Sequence, residues 1–465
     1  MAGTPNGPGG QAGAVTASVG GTPEESVEET AQGIESDAER WRALRRVLPA
    51  AGVGHFVEWF DFGLYGTLAT VLSQNFFDKD NPGSALLSTF AVFAVGFVMR
   101  PIGGMFWGSL GDRHGRKNVL ATVIILTSAS TFLIGVLPTY AQVGVWASVL
   151  LVVVRLLQGF AAGGESSGAT TLLLGYAPSR RRGFVTSFID VFGFLAFLAG
   201  AGLSLLLSAT LGEDVLDAWA WRIPFWVALI LGLIGLYLRL KLEDTPEFLA
   251  TQATQKVTAS PLRDSFRTAW KALLFCVGFV VVKSVGHWML QTFMPSYLQS
   301  DLNYNQTQSF QVTVIGFAVI VVLVPFMGML SDRIGRRPLM IAGCAGFVLL
   351  SYPTLVLMGS GHFWAAVAAM SILGVFMAAI DGAINAAMPE LFPTNIRYGS
   401  MSIAYNIAVA VFGGITPYAS TWLISATHNT YAPAFYIGAA ALVSGVVFVL
   451  AHETAHEPLR SRTGE

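Results

Sequence analysis

GSLGDRHGRK, Gly108 to Lys117, returns 220 positions later as GMLSDRIGRR, Gly328 to Arg337. Each copy is a short charged loop between two long apolar runs. A repeat of about half the chain, flanked by membrane-length segments, points to two duplicated helical bundles with a site between them. A second pair of loops follows the same rule. PSRRRG (Pro178 to Gly183) is matched by PTNIRYG (Pro393 to Gly399) at an offset of 215.

The composition agrees with a membrane protein. Hydrophobic residues make up 53% of the 465-residue chain and charged residues only 12%, about half of the roughly 25% usual in soluble domains. A spanning helix needs about 20 mostly apolar residues. Twelve such runs are predicted: 47–73, 85–110, 118–137, 142–176, 184–211, 221–240, 270–299, 309–330, 339–358, 362–390, 399–425 and 432–452. The fold class expected is therefore an all-α polytopic membrane protein of two six-helix bundles, 45–240 and 270–452. Residues 241–269 read as a cytoplasmic linker and 453–465 as a short cytoplasmic tail. Residues 1–38, acidic and without aromatics, read as a disordered tail. The net charge of −1 leaves no basic field for nucleic acid. Cys276 and Cys344 lie in apolar runs and form no metal or disulfide pattern.

Lysine and arginine fix an orientation. With both termini inside, inner segments hold 22 of the 27 basic residues, and outer loops hold only Lys79 and Arg222. Arg100, Arg155 and Lys283 fall within predicted spans.

The repeated loops ask for more than a topology signal. Asp112 is placed to meet a helix N-terminus, whose partial positive charge favours an anion. Arg113, Gly115 and Arg116 follow it in one copy; Asp332, Arg333, Gly335, Arg336 and Arg337 repeat the pattern in the other.

A charge in mid-bilayer costs about 2.5–3.5 kcal/mol on insertion scales, so each one retained there is a functional hypothesis. The first span carries HFVEWFDFGLYG, His55 to Gly66. Glu58 and Asp61 share a helix face, and Tyr65 continues it. Two such carboxylates in a low dielectric resist double ionisation, so one can take up and release a proton. Span four carries RLLQGFAAGGESSGA, with Gln158 and Glu165 on one face and Arg155 as a counter-ion. Its glycines, with Gly104 and Gly108 of span two, read as close helix packing. Asp190 and Asp381 are further carboxylates. Lys283 in span seven pairs with a carboxylate or meets an anionic solute group. His55 and His287 are proton-relay candidates. Trp59, Trp288, Phe293 and Tyr405 supply rings able to hold a quaternary ammonium.

The duplicated G-x-x-x-D-R-x-G-R-[RK] pattern resembles the loop motif of the major facilitator superfamily. EWFDFGLYG, QGFAAGGE, RRRGFVTSFID and WRIPFWVALILGLIGLYLRLKLEDTPEF resemble its metabolite:proton symporter branch. MLQTFMPSYLQSDLNY, LFPTNIRY and HETAHEPL are most similar to branch members that import osmolytes. The resemblance implies alternating access, with the repeated loops as a cytoplasmic gate. It implies proton-coupled import of a small zwitterion such as proline or glycine betaine across the cell membrane. Proton coupling would fall to Glu58, Asp61, Glu165 and Asp190. Solute binding would fall to Trp59, Tyr65, Arg155, Gln158, Lys283, Trp288 and Tyr405. KSVGHWML in span seven departs from those relatives. The added cation there keeps an organic acid open as the solute. A drug:proton antiporter is a weaker alternative, because span five lacks the Gly-Pro motif usual in such exporters. No HExxH, GxSxG or paired-histidine motif suggests an enzyme, and no cofactor is expected. The partners expected are a small solute, protons and the bilayer; oligomeric state is not legible.

Overall fold

The computed structural model describes residues 37–242 and 270–457, apart from 79, 115, 164–167, 179, 393 and 456. The acidic N-terminal segment and most of the expected linker lie outside the described residues. Helices dominate and no strand occurs among the described residues. The first bundle comprises α1 (Asp37–Thr67, continued by Ala69–Phe76), α2 (Pro82–His114), α3 (Arg116–Ile134), α4 (Val145–Ala162, resumed at Gly168–Tyr176), α5 (Arg182–Leu211) and α6 (Arg222–Leu242). The second comprises α7 (Trp270–Trp288, continued through a π-helical turn into Met294–Ser300), α8 (Gln306–Ile334), α9 (Arg336–Met358) and α10 (Phe363–Glu390). It ends with α11 (Thr394–Ala408, resumed at Thr416–Thr427) and α12 (Pro433–Leu450).

Nine of these helices are long and apolar enough to cross a membrane, and α6 makes ten when joined to Glu213–Ala220, which meets it at 59°. The two that fall short have identifiable reasons. Helix α1 begins in the charged stretch DAERWRALRR and carries Glu58 and Asp61. In α3 the apolar part whose side chains are described is Ala121–Ile134. Large exposed side chains such as Trp146, Leu349 and Trp364 lie on the outer surface. A bilayer leaves apolar side chains facing outward in this way.

Backbone contact explains the glycines. A Cβ on Gly159 would stand 1.9 Å from the Gly96 carbonyl oxygen, and one on Gly163 would stand 2.2 Å from that of Arg100. Helices α2 and α4 therefore touch main chain to main chain, as small residues allow in membranes. Between the bundles, α5 packs on α8 and α10, α2 on α11, and α1 on the π-helical turn of α7. At the start of α5, Gly183 lies against Gly328 of α8, and Gly328 in turn meets Gly382 of α10. One loop from each repeated pair thus contributes a glycine to this junction. Gly66, closing EWFDFGLYG, lies against Thr292 of α7. Gly335 has a φ of 107°, a conformation that side chains disfavour, and it makes the turn from α8 to α9.

These contacts set an expected outcome. Gly159→Ala forces α2 and α4 apart and costs about 1–3 kcal/mol, read as a lower unfolding temperature of the purified protein. Gly202→Ala, where a Cβ meets nothing within 4 Å, leaves that temperature unchanged or raises it. Equal behaviour of the two variants would contradict the packing account.

Candidate functional site

Where the bundles meet, charged residues from both converge. Helix α7 brings Lys283 into the centre, 4% exposed. Its Nζ donates to both carboxylate oxygens of Asp190 on α5, at 2.9 and 2.7 Å. It also donates to Asp381 Oδ1 at 3.0 Å and Asn385 Oδ1 at 3.2 Å, both on α10. Asn385 returns a bond to Asp190 Oδ2 at 2.7 Å. His287, one turn beyond Lys283, pairs with Asp381 at 2.9 Å. Asp190, His287 and Asp381 lie close enough to hold a metal ion. The ammonium of Lys283 already supplies the cation there.

A cavity of about 70 Å³ abuts this cluster. Helix α1 contributes His55, Glu58 and Trp59 to its wall, α2 contributes Arg100, and α5 contributes Asp190. Lys283, Asn385, Tyr405 and Asn406 close it from the second bundle. Glu58 lies 3.6 Å from Arg100 and 3.9 Å from His55. Both signs of charge and two aromatic rings therefore face one small space.

The expected residues divide into those at this cavity and those behind it. Glu58, Trp59, Asp190, Lys283 and Tyr405 line it. Asp61 is buried and faces a smaller space shared with Glu58, Ile124, Thr127 and Ser128, between α1, α3 and α6. Arg155, Gln158 and Tyr65 form a layer inside the first bundle. Arg155 donates to Gln158, and Gln158 to Thr131. Its guanidinium lies 4.2 Å from the Tyr65 ring centre, and Tyr65 donates to the Thr89 carbonyl. None of the three reaches the cavity wall. Glu165 lies outside the described residues.

Trp288 also stands apart from the cavity. It is 1% exposed and sits among first-bundle rings: Trp59 at 5.6 Å, Phe93 at 5.3 Å and Phe97 at 5.0 Å. This cluster lies further along α7 than Lys283 and closes the bundles together there. Each aromatic pair adds about 0.5–1.5 kcal/mol beyond area burial.

The other end of the interface is held by the second repeated loop. Asp332 accepts from the backbone N–H groups of Gly183 and Phe184, at 2.8 and 2.9 Å. The anion thus caps the first turn of α5, as its position in the motif predicts. Arg336 donates to the same carboxylate at 2.6 Å and lies 3.6 Å from Glu390. Glu390 also lies 3.7 Å from Arg182 of the first bundle. Arg333 faces outward, and Arg337 donates to the Val449 carbonyl. In the first copy of the loop, Gly115 and the side chains of Asp112, Arg113 and Arg116 lie outside the described residues.

Sequence reasoning named Asp381 as a further carboxylate and His287 as a proton-relay candidate without pairing them. It missed Asn385, which follows Asp381 by four positions and so shares its face. It also missed Glu390 and the residues after α12. Glu453 accepts from the N–H groups of Arg336 and Arg337, at 2.9 and 3.0 Å. Thr454 donates to Glu390 at 2.6 Å. Burial alone would raise the Glu453 carboxyl, but the N–H groups of Arg336, Ala455, Arg337 and Thr454 outweigh it and hold it below the usual range.

The sequence matches two known families. Residues 47–265 match the family described as sugar (and other) transporter, and residues 280–465 match the major facilitator superfamily. The glycine betaine/proline/ectoine/pipecolic acid transporter of Dickeya dadantii is 39% identical, across 90% of this chain and 85% of that protein. The proline/betaine transporter of Escherichia coli is 38% identical, across 90% and 86%. Among solved structures, the xylose transporter of E. coli in a partially occluded inward-open conformation has a TM-score of 0.70 at 16% identity, covering 90% of this chain and 99% of that one. A D-xylose–proton symporter has a TM-score of 0.63 at 20% identity, covering 90% and 98%. These structures share the fold.

Two outcomes are expected. Asp332→Asn removes the charged cap and loosens the α5–α8 junction. Met401 is buried in the wall of the cavity; maleimide labelling of Met401→Cys, in a background without Cys276 and Cys344, then rises severalfold, and unchanged labelling would contradict the cap. A depressed Glu453 gives stability that is full above the ordinary glutamate range and lost only as pH falls below it. Protection of the 452–457 segment from protease therefore stays constant from pH 7 to about 5, and Glu453→Gln abolishes it.

Proposed function

The chain belongs to the major facilitator superfamily, and from that premise we propose that it is a solute:proton symporter. It imports a small zwitterion such as proline or glycine betaine by alternating access. It is a multi-pass membrane transporter and not an enzyme. The observation that carries the solute class is the wall of the central cavity. Lys283 and Arg100 suit a carboxylate, while Glu58, Asp190, Trp59 and Tyr405 suit a quaternary or secondary ammonium. The names of the similar transporters support the same class.

The cavity disfavours the organic-acid reading. A dicarboxylate would face Glu58 and Asp190 as well as the two cations. Glu58 and Asp190 are the proton carriers proposed at the cavity, with Asp61 and Glu165 as supporting carboxylates. Arg155, Gln158 and Tyr65 hold the first bundle in shape behind the site, and Trp288 is the aromatic closure on one side of it. Asp332 and Arg336, with Arg333, Gly335 and Arg337, form one half of the gate. Asp112, Arg113, Gly115 and Arg116 form the other by repetition. Both termini are placed in the cytoplasm by the distribution of lysine and arginine, and the membrane is the cell membrane.

In proteoliposomes, labelled betaine is expected to accumulate only with an inward proton gradient. Glu58→Gln is expected to abolish uphill uptake. Accumulation that survives collapse of the gradient would overturn the symport reading.

A further inference from the structure

Lys283 is shared unequally between its two carboxylates. Asp381 belongs to its own bundle, is fully buried, and is also bonded to His287. Asp190 belongs to the other bundle and faces the cavity, as do Lys283 and Asn385. The cavity-facing half of the cluster is therefore the half that crosses between the bundles. Any rocking that parts α5 from α7 and α10 must break the Lys283–Asp190 contact. Parting a buried ionised pair is costly unless each charge finds a replacement.

We propose that the solute's carboxylate takes Asp190's place on Lys283, and that Asp190 leaves the pair as a neutral acid. The argument is one of local charge, and it rests on the symport reading above. Around Lys283 stand two carboxylates and one ammonium. A solute carboxylate seated on Lys283 would make three carboxylates around that ammonium. The solute's own ammonium lies toward Glu58, away from Lys283, so the charge beside Lys283 itself is conserved when one carboxylate takes up a proton. Asp381 is sealed behind the lysine, so Asp190, at the cavity, is the acceptor. The step balances: an incoming carboxylate and a proton replace one inter-bundle ion pair with one solute–lysine pair and one carboxylic acid. No charged group of the protein is left without a partner, and the link between bundles is reduced to the neutral Asn385 bond.

The groups facing this pair set its surroundings. They are Asp381 from α10, His287 from α7, Tyr405 from α11, His55 and Glu58 from α1, and Arg100 from α2. Arg100 faces Glu58 at 3.6 Å, whereas Lys283 faces two carboxylates at 2.7 and 3.0 Å, so Lys283 can take the arriving carboxylate only as Asp190 takes up its proton. The cationic end of the solute then points toward Glu58, Trp59 and Tyr405.

The test is proton uptake on binding, read with a pH dye in weakly buffered purified protein near neutrality. Betaine is expected to bind with uptake of one proton per solute. Asp190→Asn is expected to bind betaine with none. Choline carries the same quaternary ammonium without the carboxylate. It is expected to bind wild-type protein at least about tenfold more weakly, since a charged hydrogen bond is missing, and with no proton uptake. Choline uses the unaltered protein, so the test stands even if the variant does not fold. Proton uptake that persists in Asp190→Asn, or that accompanies choline, would overturn the inference. Betaine binding without proton uptake, in protein whose uphill uptake still needs the gradient, would overturn it while leaving the symport reading intact.

Discussion

One ammonium group, that of Lys283, ties the two bundles together at their centre. It is 4% exposed and is satisfied by Asp190 from one bundle and by Asp381 and Asn385 from the other. In water such a pair is worth little. In the membrane interior a buried charge without a partner is expensive, and removing one partner of a buried pair typically costs about 3–5 kcal/mol. The contact is therefore both strong and conditional. It holds as long as both charges exist, and a single proton on Asp190 removes the reason for it.

The rest of the interface is arranged around this conditional contact. On one side the rings around Trp288 close the bundles by apolar packing. On the other, Asp332 caps α5, and Gly183, Gly328 and Gly382 bring three helices into backbone contact. Apart from Trp59, which also lines the cavity, none of these contacts meets the solute directly. The rings have no charge to titrate, and the glycine junction is a matter of shape. The groups that can respond, Glu58, Asp190 and Lys283, are the ones that face the cavity. On the proposed mechanism, the cargo is sensed in the middle and the result passes to closures at either end.

Much of this was written in the chain. The duplicated loop announced two bundles, and its aspartate was expected at a helix N-terminus, where Asp332 stands. The glycines of QGFAAGG were expected to pack helices, and Gly159 and Gly163 do so against α2. What the sequence could not give was partnership across long separations. Asp190 and Lys283 are 93 positions apart, and Asp190 and Asn385 are 195 apart. No periodicity links them; only the packing of α5 against α8 and α10 does. For the same reason Arg155, Gln158 and Tyr65 looked like solute ligands from their helix faces. Those faces turn toward α3 and α2 within their own bundle. The short segment after α12 was legible only as a tail. Its cap on α9 depends on a fold that brings Glu453 beside Gly335.

The central claim is that Asp190 becomes a neutral acid when a solute carboxylate takes Lys283. Infrared difference spectroscopy of the purified protein, recorded on addition of betaine, observes that change directly. The account predicts a new carbonyl band of a protonated carboxyl group in the wild-type protein and its absence in Asp190→Asn. No new band in the wild type, or the same band in the variant, would contradict it.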